Sequence, residues 1–190
     1  ESSGQQNQAM GLIMMTALFP KIPRFAYSTN FNSNNIWMYA VDYSSGMLGS
    51  LGTIPAGTGP SSIKVDSAGK FAYASNNGSG NVTVYSINQS TGLLTSLGNT
   101  PTNTGSMAVC IHPSGKFLYV GNATANTISV FSIDQTTGLL TPLTPSPATN
   151  PTGISIDATG TYLYASNTGG TAVLMFSINP LTGLLTANGS

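Results

Sequence analysis

"FAYASNNGSGNVTVYSINQSTGLLTSLG" occupies Phe71 to Gly98, and "FLYVGNATANTISVFSIDQTTGLLTPLT" opens 46 residues later at Phe117. Within each stretch "FAYAS" and "NVTVYSI" alternate apolar and small residues with a period of two, the pattern of a β-strand. "GLLTSLG" reads as a further, weaker strand. "SAGK", "NNGSGN" and "NQSTG" are turn signals between them. Ahead of Phe71, "SSIKVD" places Ile63 and Val65 on one face of another strand. No segment shows the 3.6 periodicity and caps of a helix.

The unit recurs across the chain. Aromatic-x-Tyr-x-x-Asn appears as "FAYSTN", "FAYASN", "FLYVGN" and "YLYASN", with tyrosines at Tyr27, Tyr73, Tyr119 and Tyr164, at intervals of 46, 46 and 45. The asparagines are Asn30, Asn76, Asn122 and Asn167, and the turn glycines are Gly46, Gly92, Gly138 and Gly183. Four short antiparallel strands every 45 residues is the signature of a propeller blade, which buries its faces only by stacking on its neighbours. The expectation is an all-β propeller of four blades, each a four-stranded antiparallel sheet, forming a partial or half propeller. It divides into an N-terminal extension at 1–13 and blades at about 14–58, 59–104, 105–149 and 150–190. The first is irregular, with "TALFPKIPRF" standing where "IKVDSAGKF" stands in the second.

The repeat resembles the YVTN-type unit of the lactonase-like β-propeller family. The likeness rests on "P-x-x-I-x-V/I-D-x-x-G-K-F-x-Y-x-x-N" followed by "V-x-V-Y/F-S-I-N/D-x-x-T-G-L-L-T", and covers about residues 14 to 190. It implies a propeller of usually seven blades. It implies either lactone hydrolysis of the 6-phosphogluconolactonase or muconate-lactonising kind, or a secreted or surface role in binding. On this fold, the resemblance implies, hydrolysis uses His, Glu and Arg gathered at the central channel. Four blades against seven make the chain a four-bladed ring, half of a larger ring, or a piece of a longer protein. A start at Glu1 reads as a mature or trimmed product.

Composition restricts the partners. Of 190 residues, 5% are charged and the formal net charge is zero, against roughly 25% charged in an ordinary soluble domain. Such a surface offers no cationic footprint for nucleic acid and no polybasic segment for anionic lipid. Gly, Ser, Thr and Asn carry solubility instead, which suits an extracellular, cell-surface or periplasmic protein. The most apolar run, Ala9 to Phe19, is too short to span a membrane. One cysteine, Cys110, excludes an intrachain disulfide.

Each chemically capable residue has a repeat position. Asp66, His112 and Asp157 share one, closing a strand before an "xxG" turn; Asp42, Asn88, Asp134 and Asn179 share another, opening the "xxTG" turn. Asx side chains at such places bond the turn backbone. His112, the sole histidine, is a weak catalytic candidate, since a general base wants a positioned partner. Cys110 aligns with Lys64 and Ser155 and reads as a packed small residue. Lys70 and Lys116 share a turn position with Arg24 and Thr161. Asn77, Asn81, Asn88, Asn122 and Asn188 head glycosylation-type triplets that chance supplies in so Asn-rich a chain. No cofactor, metal ligand set or phosphate loop is expected.

The residues point to a non-enzymatic secreted or cell-surface propeller acting as a protein-binding scaffold within a larger assembly. The alternative is a lactonase-like hydrolase whose active site lies in missing blades. Open faces between end blades call for a protein partner or self-association. A stripe of Ile154, Ile156, Tyr162 and Tyr164 is expected on one such face, with Ala9 to Phe19 as a cover.

Overall fold

The structure is a computed structural model that describes residues 24–170 and 172–189. Among the described residues it contains fifteen strands and no helix. The first sheet holds β1 (Phe25–Asn30), β2 (Asn35–Val41) and β3 (Leu48–Pro55). The second holds β4 (Pro60–Val65), β5 (Phe71–Asn76), β6 (Asn81–Ile87) and β7 (Leu94–Pro101). The third holds β8 (Ser106–Ile111), β9 (Phe117–Asn122), β10 (Thr127–Ile133) and β11 (Leu140–Pro147). The fourth holds β12 (Ile154–Ile156), β13 (Tyr162–Ala165), β14 (Leu174–Ile178) and β15 (Leu185–Ala187). Within each sheet the strands pair antiparallel in sequence order, the topology of a propeller blade. The expected first strand of the first blade, ahead of Phe25, and the apolar run at Ala9 to Phe19 fall outside the described residues.

The first strand of each complete sheet lies inside, since β8 adjoins both β4 and β12. Outer strands β7 and β11 are longer than "GLLTSLG" suggested. In β2–β3 and β6–β7 a bulge at Gly52 and Gly98, both at positive φ, lets the strand twist away from the ring. Every residue of β5 and β9 is buried. Their period-two alternation therefore sorts residues between two neighbouring blades, not between core and water.

Three apolar clusters fill the three junctions. Ile36 and Met38 of the first blade meet Ala72, Ala74, Tyr85 and Leu94 of the second. Phe71, Tyr73, Val82 and Val84 meet Val109, Leu118, Val120 and Phe131. Phe117, Tyr119, Ile128 and Val130 meet Leu163, Ala165, Phe176 and Ile178. Across each junction runs one hydrogen bond of the same kind. Tyr27 donates its hydroxyl to the Gly92 carbonyl at 2.8 Å, Tyr73 to Gly138 at 3.0 Å and Tyr119 to Gly183 at 2.8 Å. Each acceptor glycine has positive φ and lies under a phenylalanine ring, Phe25, Phe71 or Phe117, that a Cβ would penetrate. Burial pushes Tyr27 up to about 12, and Tyr73 and Tyr119 further, so all three stay protonated donors.

The expected Ile154, Ile156, Tyr162 and Tyr164 stripe is corrected by the register. Ile154 pairs with Ala165 and Ile156 with Leu163, while Ser155 pairs with Tyr164. Directly opposed residues share a face, so Ile154 and Ile156 pack toward the third blade. Only Tyr162 and Tyr164, each 39% exposed, stand on the open face.

Tyr119→Phe should lower stability by about 1–1.5 kcal/mol, because it strands the buried Gly183 carbonyl. Gly138→Ala should cost more, about 2–4 kcal/mol, by driving Cβ into Phe71 at a positive φ. Urea unfolding followed by tyrosine fluorescence measures both; equal, negligible losses would contradict this account of the junction.

Candidate functional site

The two ends of the blade stack differ in chemistry. At one end lie the turns joining first to second and third to fourth strands. Here Asp66 Oδ1 accepts from the amides of Lys70 at 2.7 Å and Phe71 at 2.8 Å, and Asp157 Oδ1 accepts from Tyr162 at 2.7 Å. Asp42 takes Ser44 and Ser45, Asn88 takes Ser90 and Thr91, Asp134 takes Thr136 and Thr137, and Asn179 takes Leu181 and Thr182. These bonds hold three carboxyls below the usual range. For Asp42 the cause is the Ser44 hydroxyl and amide, for Asp134 the Thr136 and Thr137 amides, and for Asp157 the Thr159 hydroxyl and the Tyr162 amide.

His112 behaves differently from its repeat mates. The Ser114 amide donates to Nδ1 at 3.1 Å, which leaves the proton on Nε2, and Nε2 reaches the Gly160 carbonyl of the next blade at 2.9 Å. The ring is buried and stands edge-on to Phe117, 5.9 Å between centroids. Both nitrogens are thus engaged, and none of these partners is a carboxylate. Where Asp66 occupies the same position, the shorter side chain stays in its own hairpin. A groove of about 230 Å³ remains there, lined by Asp66, Lys70, Tyr73, Gly115, Ile133 and Gln135.

The other end, where blades link and second strands turn into third strands, is polar and nearly uncharged. Ser61 donates to the Ser106 carbonyl at 2.8 Å, joining neighbouring inner strands. Ser106 donates to Asn103 O at 3.0 Å and bonds Asn122 Oδ1 at 3.1 Å. Asn122 Nδ2 in turn donates to Thr127 and Ser129. Asn76 repeats this arrangement with Asn81 and Thr83, but its buried Oδ1 has no partner. Pro60, which has no hydroxyl, stands where Ser106 stands in the following blade. Thr152 and Ser166 continue the hydroxyl pattern into the fourth blade, 3.0 Å apart. This Asn–Ser network escaped the sequence reading, although the regular Asn of the Tyr-x-x-Asn unit was its signal.

Cys110 is buried, and burial pushes its thiol up to about 12, with Lys64 pulling weakly the other way. Among the described residues no three of His, Cys, Asp and Glu gather to hold a metal. Among the described residues no helix is long and apolar enough to cross a membrane. The described Asp and His side chains are therefore dispersed at turns, while a network of Ser, Thr and Asn groups lies beside the inner strands at the opposite end.

The lactonase, seven-bladed β-propeller family model matches residues 21–109 and 98–190. Among solved structures, a 6-phosphogluconolactonase-like protein from Bacteroides uniformis superimposes with a TM-score of 0.82 at 24% identity, over 90% of this chain and 52% of that one. A second, from Bacteroides fragilis, gives 0.79 at 23% identity over 87% and 50%. The periplasmic gluconolactonase of Pseudomonas aeruginosa gives 0.78 at 19% identity over 86% and 50%. The chain thus spans about half the length of each. No curated protein matches it.

Two measurements check the electrostatics. Native Cys110 should stay unlabelled by iodoacetamide at pH 8 and react once the chain is unfolded in urea. Asp carboxyls depressed in the folded state stabilise it above the unfolded carboxyl value, and that contribution is lost as pH falls. Urea midpoints should therefore be level from about pH 7 to 5 and drop below about pH 4. Asp134→Asn, which copies Asn88 and Asn179, should make that acid fall shallower.

Proposed function

The chain belongs to the lactonase seven-bladed β-propeller family, and on that premise we propose that it serves a propeller that hydrolyses a sugar lactone. The family match along residues 21–190 carries this reading. The described blades supply the wall of the channel. Their inner-strand end offers Ser and Thr hydroxyls and Asn amides, which suit a polyhydroxylated, uncharged ring better than a polyanion. The groups that move protons during hydrolysis lie outside the described residues, and His112 acts as an inter-blade tie. An extracellular, cell-surface or periplasmic site of action is part of the proposal, supported by the charge-poor composition and by the periplasmic relative from Pseudomonas aeruginosa.

A second reading has its own observation in favour. Asp42, Asp66, Asp134 and Asp157 are all spent on turn backbone, and His112 is saturated. A non-enzymatic binding scaffold, meeting a protein partner or another copy through its open blade faces, accounts for that equally well.

Hydrolysis of glucono-δ-lactone and of its 6-phosphate by the full natural polypeptide that carries these residues separates the two. Acceleration over the spontaneous reaction, unchanged in Cys110→Ser, is the expected outcome. No acceleration of either lactone would sink the hydrolytic reading and leave the scaffold.

A further inference from the structure

The groove of about 230 Å³ beside Asp66 is the space that a histidine ring fills one junction further on. The repeat relates the two places. Asp66 stands where His112 stands, Phe71 where Phe117 stands, and Gly115 where Gly160 stands. Between the third and fourth blades the His112 ring closes this space. Its Nε2 donates to the Gly160 carbonyl at 2.9 Å, and it stands edge-on to Phe117 with 5.9 Å between centroids. Between the second and third blades a carboxylate is too short to cross. Asp66 Oδ1 is held in its own hairpin by the amides of Lys70 and Phe71, at 2.7 and 2.8 Å.

The groove keeps the groups that His112 uses. Gly115 has φ +73° against +75° for Gly160, and each glycine amide closes the same turn, onto His112 O and Asp157 O. Their carbonyls are therefore set alike. Among the described residues nothing donates to the Gly115 carbonyl or to Asp66 Oδ2. Phe71 lines the groove and is packed as tightly as Phe117. Lys70 is exposed at the rim, where water and salt screen its ammonium. One difference sets the charge of a fitting ligand. At His112 the Ser114 amide donates to Nδ1, so that ring offers a single N–H. At Asp66 both open groups are acceptors, a carboxylate and a carbonyl. A ring with two N–H donors matches them, and for an imidazole that is the protonated form.

We propose that this groove binds an imidazolium ring, the head group of a histidine side chain or of a free histidine-derived amine. One N–H meets the Gly115 carbonyl, the other meets the Asp66 carboxylate in a charge-assisted bond, and the ring lies against Phe71. The site is among turns, at the end opposite the Ser, Thr and Asn network. Both blades that form it have all four strands described. It involves neither lactone hydrolysis nor any blade beyond these two.

Imidazole itself is the probe, added at about pH 6, where most of it is protonated. The full natural polypeptide that carries these residues is labelled with nitrogen-15, and its amide chemical shifts are followed. Saturable shifts at Lys70, Phe71 and Gly115 are expected, with a dissociation constant of about 1 mM, within the ceiling for so small a ligand. 1-Methylimidazole lacks one of the two N–H donors and should bind about tenfold more weakly. Asp66→Asn keeps an oxygen for the Lys70 and Phe71 amides but loses the charge, and should also cost about tenfold. Asp66→His should fill the groove with its own ring and abolish the shifts. Asp157→Asn, the same change at a turn that does not line the groove, should leave binding as it is. Circular dichroism checks that each variant keeps its strands. The tighter binder of histamine and the tripeptide Gly-His-Gly names the source, free amine or peptide. No saturable shift at these amides, equal binding of 1-methylimidazole, or binding that survives Asp66→His would each overturn the proposal.

Discussion

The bond from a tyrosine hydroxyl to a glycine carbonyl in the next blade sets most of what this chain must conserve in its architecture. It crosses each of the three described junctions at 2.8 to 3.0 Å, between Tyr27, Tyr73 and Tyr119 and Gly92, Gly138 and Gly183. A buried phenol without a partner is costly, and so is a buried carbonyl. Each therefore demands the other in the neighbouring blade. The acceptor must be glycine for two reasons at once. Its φ is positive, and a phenylalanine ring lies where Cβ would be. The "FxY" and "TGLL" pieces of the repeat are thus two sides of one contact, placed 64 or 65 residues apart in the chain.

This contact also explains the charge-poor composition. Middle strands such as β5 and β9 are buried on both faces, so no position along them tolerates an unpaired charge. The described carboxylates sit at the turns, where backbone amides catch them. Apart from His112, the buried polar groups are mostly Ser, Thr and Asn, and those at the blade-linking end bond one another. Two buried amide oxygens are left without a partner there, Asn35 Oδ1 and Asn76 Oδ1, and at Asn76 a proline, Pro60, stands where the following blade has the Ser106 hydroxyl.

For chemistry, the consequence is a separation of groups. The Asp side chains and His112 are at one end, bound to turn backbone. The groups able to read hydroxyls are at the other, beside the inner strands. The chain belongs to the lactonase seven-bladed β-propeller family, and its described blades hold these two kinds of group at opposite ends. His112 illustrates how a lone histidine can be absorbed by architecture, since the same repeat position holds Asp66 and Asp157 and its reach to Gly160 ties two blades.

The repeat spacing alone determined the strand content, the antiparallel order and the propeller class, because a strand's period of two and its turn residues are local properties. The capping roles of Asp42, Asn88, Asp134 and Asn179 were legible for the same reason. What only the tertiary structure decided was which face met which neighbour. The pairing of Ile154 with Ala165 and Ser155 with Tyr164 sends the two isoleucines inward and the two tyrosines out, a choice fixed by register across strands and invisible in either strand alone. The Asn122–Ser106 network and the reach of His112 into the next blade were hidden likewise, since they join residues separated by 16 and 48 positions. Local pattern fixes the blade; contacts across the chain's own folds fix what each face of it touches.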